Sequence, residues 1–301
     1  MNKLIPQISI CICTYKRPVF LKRLLHRVAN QETRGLFGYS IVVVDNDNLR
    51  SAESVVREFA EVSGMDVTYC VEVRRNICHA RNKAIDNSLG QFVVFIDDDE
   101  FPEALWLINL FAACEKYGAV GVLGPVKSYF DEQPPRWVIR GKFYERPSHP
   151  TGFVIGWEEG RTGNVLLRKR LFEEGSLPFN PEFHRGGDSD FFRRMTEKGH
   201  VFIWCDEAVV FESVPPIRWT RAFMLKRALL RGSITVQSPS LDFISIAKSI
   251  VATAAYAAAL PFTLVLGQHR FMDVLVRLFD HLGKLLACVG IHPVANPYVT
   301  D

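Results

Sequence analysis

The chain has 301 residues, of which 48% are hydrophobic and 23% charged, enough apolar material to bury a full core in one large or two modest domains. A formal charge of +3 gives no sign of nucleic-acid binding, so any anionic partner must be met by a local cluster; the clearest is Arg218, Arg221, Lys226, Arg227 and Arg231. Seven scattered cysteines, odd in number and without zinc-type pairs, argue against a disulfide framework and suit a reducing compartment.

Ile8 to Cys13 is a short apolar run that stops at Thr14-Tyr15-Lys16-Arg17-Pro18, after which Phe20, Leu21, Leu24, Leu25 and Val28 keep helical period. Cys11 and Cys13 project to one side of that strand, as small core residues do. Ile41 to Val44 is a second apolar strand, ending at Asp45-Asn46-Asp47-Asn48, with Val55, Val56, Phe59 and Val62 marking the helix behind it. A third strand near Val67 to Val73 leads to a helix from about His79 to Ser88. Phe92 to Ile96 is the fourth strand, and Asp97, Asp98 and Asp99 follow it directly. Strands apolar on both faces and alternating with helices predict an α/β fold built on a mostly parallel sheet. Ligands of such sheets sit at the carboxyl ends of the strands, where the loops at Thr14, Asp45 and Asp97 all fall.

Three adjacent carboxylates are costly: a pair ~4 Å apart repels by roughly 1 kcal/mol in water and about 4 kcal/mol at a protein-surface dielectric. A divalent cation reverses that cost, and oxygen ligands favour Mg2+ or Mn2+. A solvated acidic turn has the same local sequence.

Beyond Gly121 to Val126 the alternation fades into a stretch rich in proline, aromatic and basic residues, from Asp131 to about Trp157, which reads as a long irregular insertion shaping a site. The glycine-rich dinucleotide fingerprint is missing from the first strand–helix turn, which argues against a dehydrogenase. His79, His184 and His200 lack paired metal-ligand spacing. The first residues lack a basic start, a long apolar stretch and a cleavage site, so no signal peptide is expected. From Ser249 to Gln268 no charged residue occurs, a length that reaches the ~20 apolar residues a bilayer span needs, with Pro261 inside it. Phe271, Val274, Leu275, Leu278, Leu282, Leu285 and Val289 then follow helical spacing, with Asp273, Arg277, Asp280 and Lys284 on the other side. Such a helix lies on a surface, either a membrane or a protein core.

Taken in order, Cys13 to Pro18, Val44-Asp45-Asn46, Arg75-Asn76 with Ala80 to Ala84, Asp97-Asp98-Asp99 and Gly186-Gly187-Asp188-Ser189-Asp190-Phe191 resemble the motifs of family 2 glycosyltransferases of the GT-A fold, a Rossmann-like nucleotide-diphospho-sugar transferase architecture. The resemblance covers roughly Ile8 to Arg231, and within the family the Gly-Asp-x-Asp-Phe segment is similar to exopolysaccharide, succinoglycan-type glucosyltransferases. It implies a catalytic domain over 1–235 and a membrane-associating helical segment over 236–301. It also implies a uridine pocket lined by Thr14 and Tyr15, with Arg17 on the nucleotide-sugar side. Asp45 would accept the uracil imide proton, and Arg81 would lie near base or diphosphate. Asp97 and Asp98 would lie nearer the ribose, and Asp99 would bind the metal, Mn2+ or Mg2+.

Asp188 takes the place of the base that deprotonates an acceptor hydroxyl, with Asp190 as the alternative; a helix cap is the structural use of the same residues. Gly187 departs from the family's usual Glu-Asp pair. Thr162, Gly163 and Asn164 fall where donor sugar or acceptor is contacted, and Trp219, Arg227 and Arg231 resemble the tail of the catalytic domain. Glu212 stands where several such enzymes place a further metal or phosphate-side residue. The implied activity is inverting transfer from a UDP-sugar to a lipid-diphosphate-linked glycan, at the cytoplasmic face of the membrane and beside other polysaccharide assembly proteins. Two alternatives stay open: a catalytically idle nucleotide-sugar-binding or scaffold subunit, and a processive synthase, of whose Gln-x-x-Arg-Trp segment only Arg218-Trp219 is present.

Overall fold

The computed structural model describes residues 5–173, 177–183, 186–237 and 243–294; His184 lies outside them. The elements run β1 (Gln7–Thr14), α1 (Pro18–Val28), β2 (Gly38–Asp45), α2 (Glu53–Ser63), β3 (Val67–Val71), α3 (Ile77–Asp86), β4 (Phe92–Ile96), β5 (Glu100–Pro102), α4 (Trp106–Tyr117), β6 (Gly121–Leu123), β7 (Val126–Tyr129) and α5 (Arg136–Arg140). They continue with β8 (Asn164–Arg168), α6 (Gly187–Glu197), β9 (Phe202–Trp204), β10 (Val210–Ser213), α7 (Arg221–Ile234), α8 (Phe243–Val265) and α9 (Gln268–Cys288). The chain forms two compact units, Met1–Lys127 with Arg146–Glu212, and Ser128–Glu145 with Ser213–Asp301.

In the first unit a seven-stranded sheet has the order β3-β2-β1-β4-β8-β6-β9. β1 pairs in parallel with β2 and β4, and β2 with β3, while β8 alone runs against its neighbours. Period-two alternation sends Ile8, Ile10 and Ile12 to one face, onto Leu21, Leu24 and Trp106. Cys11, Val42, Val44, Val93 and Phe95 go to the other face, onto Cys78, Ala80, Ala84, Phe179 and Phe191. Both faces are covered, which is why the strands read as continuous apolar runs. A second sheet has the order β5-β10-β7, with β10 antiparallel to β5 so that Glu212 lies opposite Glu100. The predicted strand ends therefore gather Thr14, Asp45 and Asp97 at one edge.

The irregular stretch expected from Asp131 contributes the short helix α5, a small core of Val138 with Val214 and Trp219, and, in the first unit, Arg146 paired with Glu212. In the second unit α9 packs between α7 and α8. Its contact with α7 is backbone to backbone: a Cβ on Gly283 would meet the Leu229 carbonyl oxygen at 2.1 Å, and one on Gly232 the Asp280 carbonyl oxygen at 1.9 Å. Those oxygens cannot swing away as a side chain can. Gly283→Ala is thus expected to cost about 1–3 kcal/mol, the usual range for overpacking, read as a lower urea midpoint by circular dichroism. An unchanged midpoint would show that the two helices are not held so close.

Candidate active site

The site is built on the ends of β1 and β4. Thr14, the last residue of β1, donates its hydroxyl to Asp98 Oδ2 at 2.8 Å, and Arg17 Nη1 reaches Asp98 Oδ1 and Asp99 Oδ2, each at 3.2 Å. Lys16 between them has φ 56°, a left-handed turn unusual for a side chain of its size. Asp98 is thereby held at both oxygens and ties the β1–α1 loop to the acidic turn. No hydrogen bond reaches the Asp97 carboxylate among the described residues, while its backbone N–H donates to Glu100 Oε2 at 3.2 Å.

Burial raises the Asp97 carboxyl to about 6; Arg81 opposes the shift, and the charges of Asp99, Glu212 and Asp188 add to it. Asp98 shifts the same way, from burial first, with Arg17 opposing. Glu100 is pushed well above the usual carboxylate range by burial and by Asp97, Glu212 and Asp99. Asp97, Asp98, Asp99, Glu100, Glu212 and Asp188 thus form one electrostatic group, set among Arg17, Arg81 and Arg146. Gly163 borders it, since a Cβ there would meet Glu100 Oε1 at 2.7 Å and Asp97 Oδ2 at 3.2 Å. A donor set of carboxylate oxygens with surplus negative charge fits a hard divalent cation. Among the described residues no three His, Cys, Asp or Glu side chains converge as a ready-made metal cage.

Asp188 lies in the first turn of α6, and among the described residues its carboxylate accepts only the Ser189 N–H, at 3.0 Å. Asp190 is buried and committed elsewhere: its two oxygens take Arg193 and Arg194, each at 2.9 Å. α3 holds the approach to α6, because Asn82 exchanges two bonds with Phe179, Asn76 donates to the Pro181 carbonyl at 2.7 Å and Cys78 Sγ donates to the Phe183 carbonyl at 3.4 Å. Gly187 belongs to the same packing. A Cβ at 187 would lie 2.4 Å from Cys78 Sγ, so the carboxylate that the family commonly carries there would require Cys78 to shift.

The Arg75 guanidinium lies 4.6 Å from the Tyr15 ring centroid, and the buried Arg81 lies 5.5 Å from the Phe179 ring centroid. Asp45 is fully buried; Asp47 N–H, Ala52 N–H and the Tyr69 hydroxyl donate to it at 3.0, 2.7 and 3.0 Å, leaving about one acceptor position of a carboxylate's four. Asn164 is buried too, accepting from Trp106 Nε1 at 2.8 Å and donating to the Pro125 and Ala208 carbonyls, so its amide knits β8 to the core. In the second unit Trp219 packs on Phe130, Arg231 forks onto Asp280, and Arg227 stands exposed on α7.

Sequence reasoning passed over Glu100, Arg146 and Arg161. Glu100 directly continues the aspartates and was open to notice. Arg146 pairs with Glu212, 66 positions away, which no local pattern signals. Arg161 Nε and Thr162 Oγ1 are buried without a hydrogen-bond partner among the described residues, two consecutive donors in the strand lead that carries Gly163. Burial and Arg146 push the Arg161 pKa down, against Glu100, Glu159 and Asp188.

A mostly parallel sheet with an acidic turn after its fourth strand and a second carboxylate at a facing helix start defines a GT-A arrangement. The chain belongs to glycosyl transferase family 2, whose family model matches residues 9–175. It is 34% identical over 230 residues to the succinoglycan biosynthesis protein ExoM of Rhizobium meliloti, covering 75% of this chain and 72% of that protein. Chondroitin synthase of Escherichia coli is 25% identical over 71% of this chain, which spans only 35% of that protein. Among solved structures, the mannosyltransferase PcManGT from Pyrobaculum calidifontis in complex with GDP-Man and Mn2+ aligns with a TM-score of 0.62 at 19% identity, over 93% of this chain and 87% of that one. S. aureus TarS 1-349 in complex with UDP aligns at 0.53 and 14% identity, over 93% and 90%. These two structures share the fold.

The raised Asp97 carboxyl sets the sign of a pH effect. Between its ordinary value of 3.8 and about 6 the folded state binds more protons than the unfolded one, so stability falls as pH rises through that window. The shift corresponds to roughly 2–3 kcal/mol at most. The metal-free protein should melt higher at pH 5 than at pH 8, Asp97→Asn should flatten the difference, and MnCl2 should raise the melting temperature more at pH 8. An identical pH profile for the two proteins by calorimetry would show that Asp97 is not the group responsible.

Proposed function

We propose that this chain is a metal-dependent inverting glycosyltransferase that moves a sugar from a UDP-sugar, UDP-glucose being the first donor to test, to a lipid-diphosphate-linked glycan in exopolysaccharide or cell-surface polysaccharide synthesis. The observation that carries the proposal is the presence of an acidic turn, Asp97 to Asp99, together with a carboxylate at Asp188 that, among the described residues, accepts only the Ser189 N–H. The similarity to ExoM supports the polysaccharide setting, and the nucleotide-sugar complexes of the fold neighbours support the donor class.

The donor nucleotide lies against Thr14, Tyr15, Arg17, Asp45 and Arg81, with Asp97 and Asp98 toward the ribose. Asp99, with neighbouring carboxylates, would hold a divalent cation, Mn2+ or Mg2+. When bound, such a cation stabilises charge on a leaving diphosphate. Arg17 and Thr14 keep the acidic turn in one geometry through Asp98. Gly163 leaves room for a sugar to approach, and Arg161 and Thr162 offer it donors. Asp188 takes the proton of the acceptor hydroxyl as the new bond forms, in a single displacement that turns an α donor into a β product. Asp190 clamps α6 through two arginines, so its role is to position Asp188.

Trp219, Arg227 and Arg231 are assigned to the acceptor side, and residues 236–301 to attachment at the cytoplasmic membrane face, where α8 is long and apolar enough to interact with lipid. Gly187 has a packing reason and lends no support to an idle subunit.

Asp188→Asn is expected to lower transfer of radiolabelled sugar by about 10²–10⁴-fold, the usual range for a positioned base, with UDP affinity by calorimetry nearly unchanged. Asp190→Asn should chiefly lower the melting temperature. Transfer at the wild-type rate by Asp188→Asn would remove the base assignment. No metal-stimulated UDP release by the wild-type protein from any UDP-sugar would remove the enzyme proposal.

A further inference from the structure

In a water-soluble protein a surface helix turns its apolar stripe inward and its polar face outward. α8 does the reverse. Its two fully buried positions, Ser249 and Thr263, are polar, and polar Ser245, Thr253 and Tyr256 are half-buried along with the apolar Ile246, Ala247, Ala252, Ala259 and Leu260. Ser245, Ser249 and Tyr256 meet the polar side of α9: His281 Nδ1 lies 3.2 Å from Ser249 Oγ, Lys284 donates to Ser245 Oγ, and the Tyr256 and His281 rings stack at 5.8 Å. The outward arc carries Phe243, Val251, Phe262 and Val265, each at least two-thirds exposed. Only 6% of the most apolar 18-residue window, of mean hydropathy 1.6, is buried.

An exposed apolar face of this length, opposite the face that meets α9, suits the apolar layer of a bilayer along one side of the helix. The surrounding charge complements an anionic headgroup layer. Arg221, Lys226 and Arg227 on α7, Lys248 on α8 and Arg270 at the start of α9 are exposed cations of this unit.

At 23 residues α8 is roughly 34 Å long, enough to cross a bilayer. Its partner forbids that course. α9 returns antiparallel from the turn at Gly267, and Arg277 and Asp280 lie roughly 14 and 18 Å along it, the depth of a bilayer centre if α8 spanned. Arg277 pairs with Asp273, and Asp280 pairs with Arg231 of α7, so α9 could not enter the hydrocarbon without ionised groups and part of α7. The backbone contact of Gly283 and Gly232 ties α9 to α7 in the same way.

We propose that α8 and α9 form a monotopic hairpin: α8 lies in the plane of an anionic bilayer leaflet, buried about 5–10 Å deep along its outward face, and α9 is the polar support that keeps it there. Both ends of α8 then stay on the side of the catalytic domain. This rests on the membrane attachment proposed above, and the test separates the two.

The full chain should float with vesicles containing about 30% phosphatidylglycerol, and Phe262→Asp, on the exposed face, should reduce flotation at least tenfold without lowering the melting temperature. In a Cys288→Ser background, which removes the exposed cysteine, Gln268→Cys at the hairpin turn should resist an impermeant maleimide added to intact spheroplasts and react after permeabilisation. Reaction in intact spheroplasts would show that α8 crosses the bilayer, overturning the hairpin and leaving attachment intact. Equal flotation of wild type and Phe262→Asp would overturn the hairpin and leave attachment intact, whereas no flotation of either would overturn both.

Discussion

Negative charge forced together at the end of β4 is the constraint on which the rest of the first unit depends. Asp97, Asp98, Asp99 and Glu100 follow a fully buried strand, and Glu212 is brought opposite Glu100 by the β5–β10 pairing. Like charges crowded at a buried sheet edge repel, and nearby cations offset that cost. The protein supplies part of them. Arg17 bridges Asp98 and Asp99, Arg81 opposes the shift at Asp97, and Arg146 pairs with Glu212. Burial and the neighbouring carboxylates still push the Asp97 and Glu100 carboxyls above their ordinary range.

The second carboxylate is delivered by packing. α3 grips the segment before α6 at Phe179, Pro181 and Phe183, and Cys78 presses against Gly187. The helix start is therefore set against the sheet edge by α3, the same helix that carries Arg81 toward Asp97. Asp190 looks interchangeable with Asp188 in sequence, yet two arginines at i+3 and i+4 hold both its oxygens, whereas among the described residues Asp188 accepts only the Ser189 N–H.

Elements with strong local signals were legible before any coordinates. The apolar runs at Ile8, Ile41 and Phe92 stand out because both sheet faces are covered, and each ends where its loop residues enter the site. Long-range chemistry was not legible. Nothing near Arg146 announces Glu212, and nothing near Asn164 announces Trp106, because those partners meet only after the strands are ordered. The glycine at 187 illustrates the limit well: in sequence it is a missing carboxylate, and in the structure it is the space filled by a cysteine sulfur more than 100 positions earlier.

The amphipathic pattern expected of α9 was correct as spacing and incomplete as to partner. Asp280, His281 and Lys284 turn inward, to Arg231, Ser249 and Ser245. A polar face satisfied inside the protein leaves apolar side chains for the outside, and α8 shows this in its most pronounced form. Periodicity reports that a helix has two faces; only the partners of the polar face reveal which one meets water. In the second unit those partners are other helices, so hydrogen bonds and ion pairs join buried apolar contacts such as Met224, Met272 and Leu278 in holding the helices together, while α8 leaves an apolar face to the surroundings.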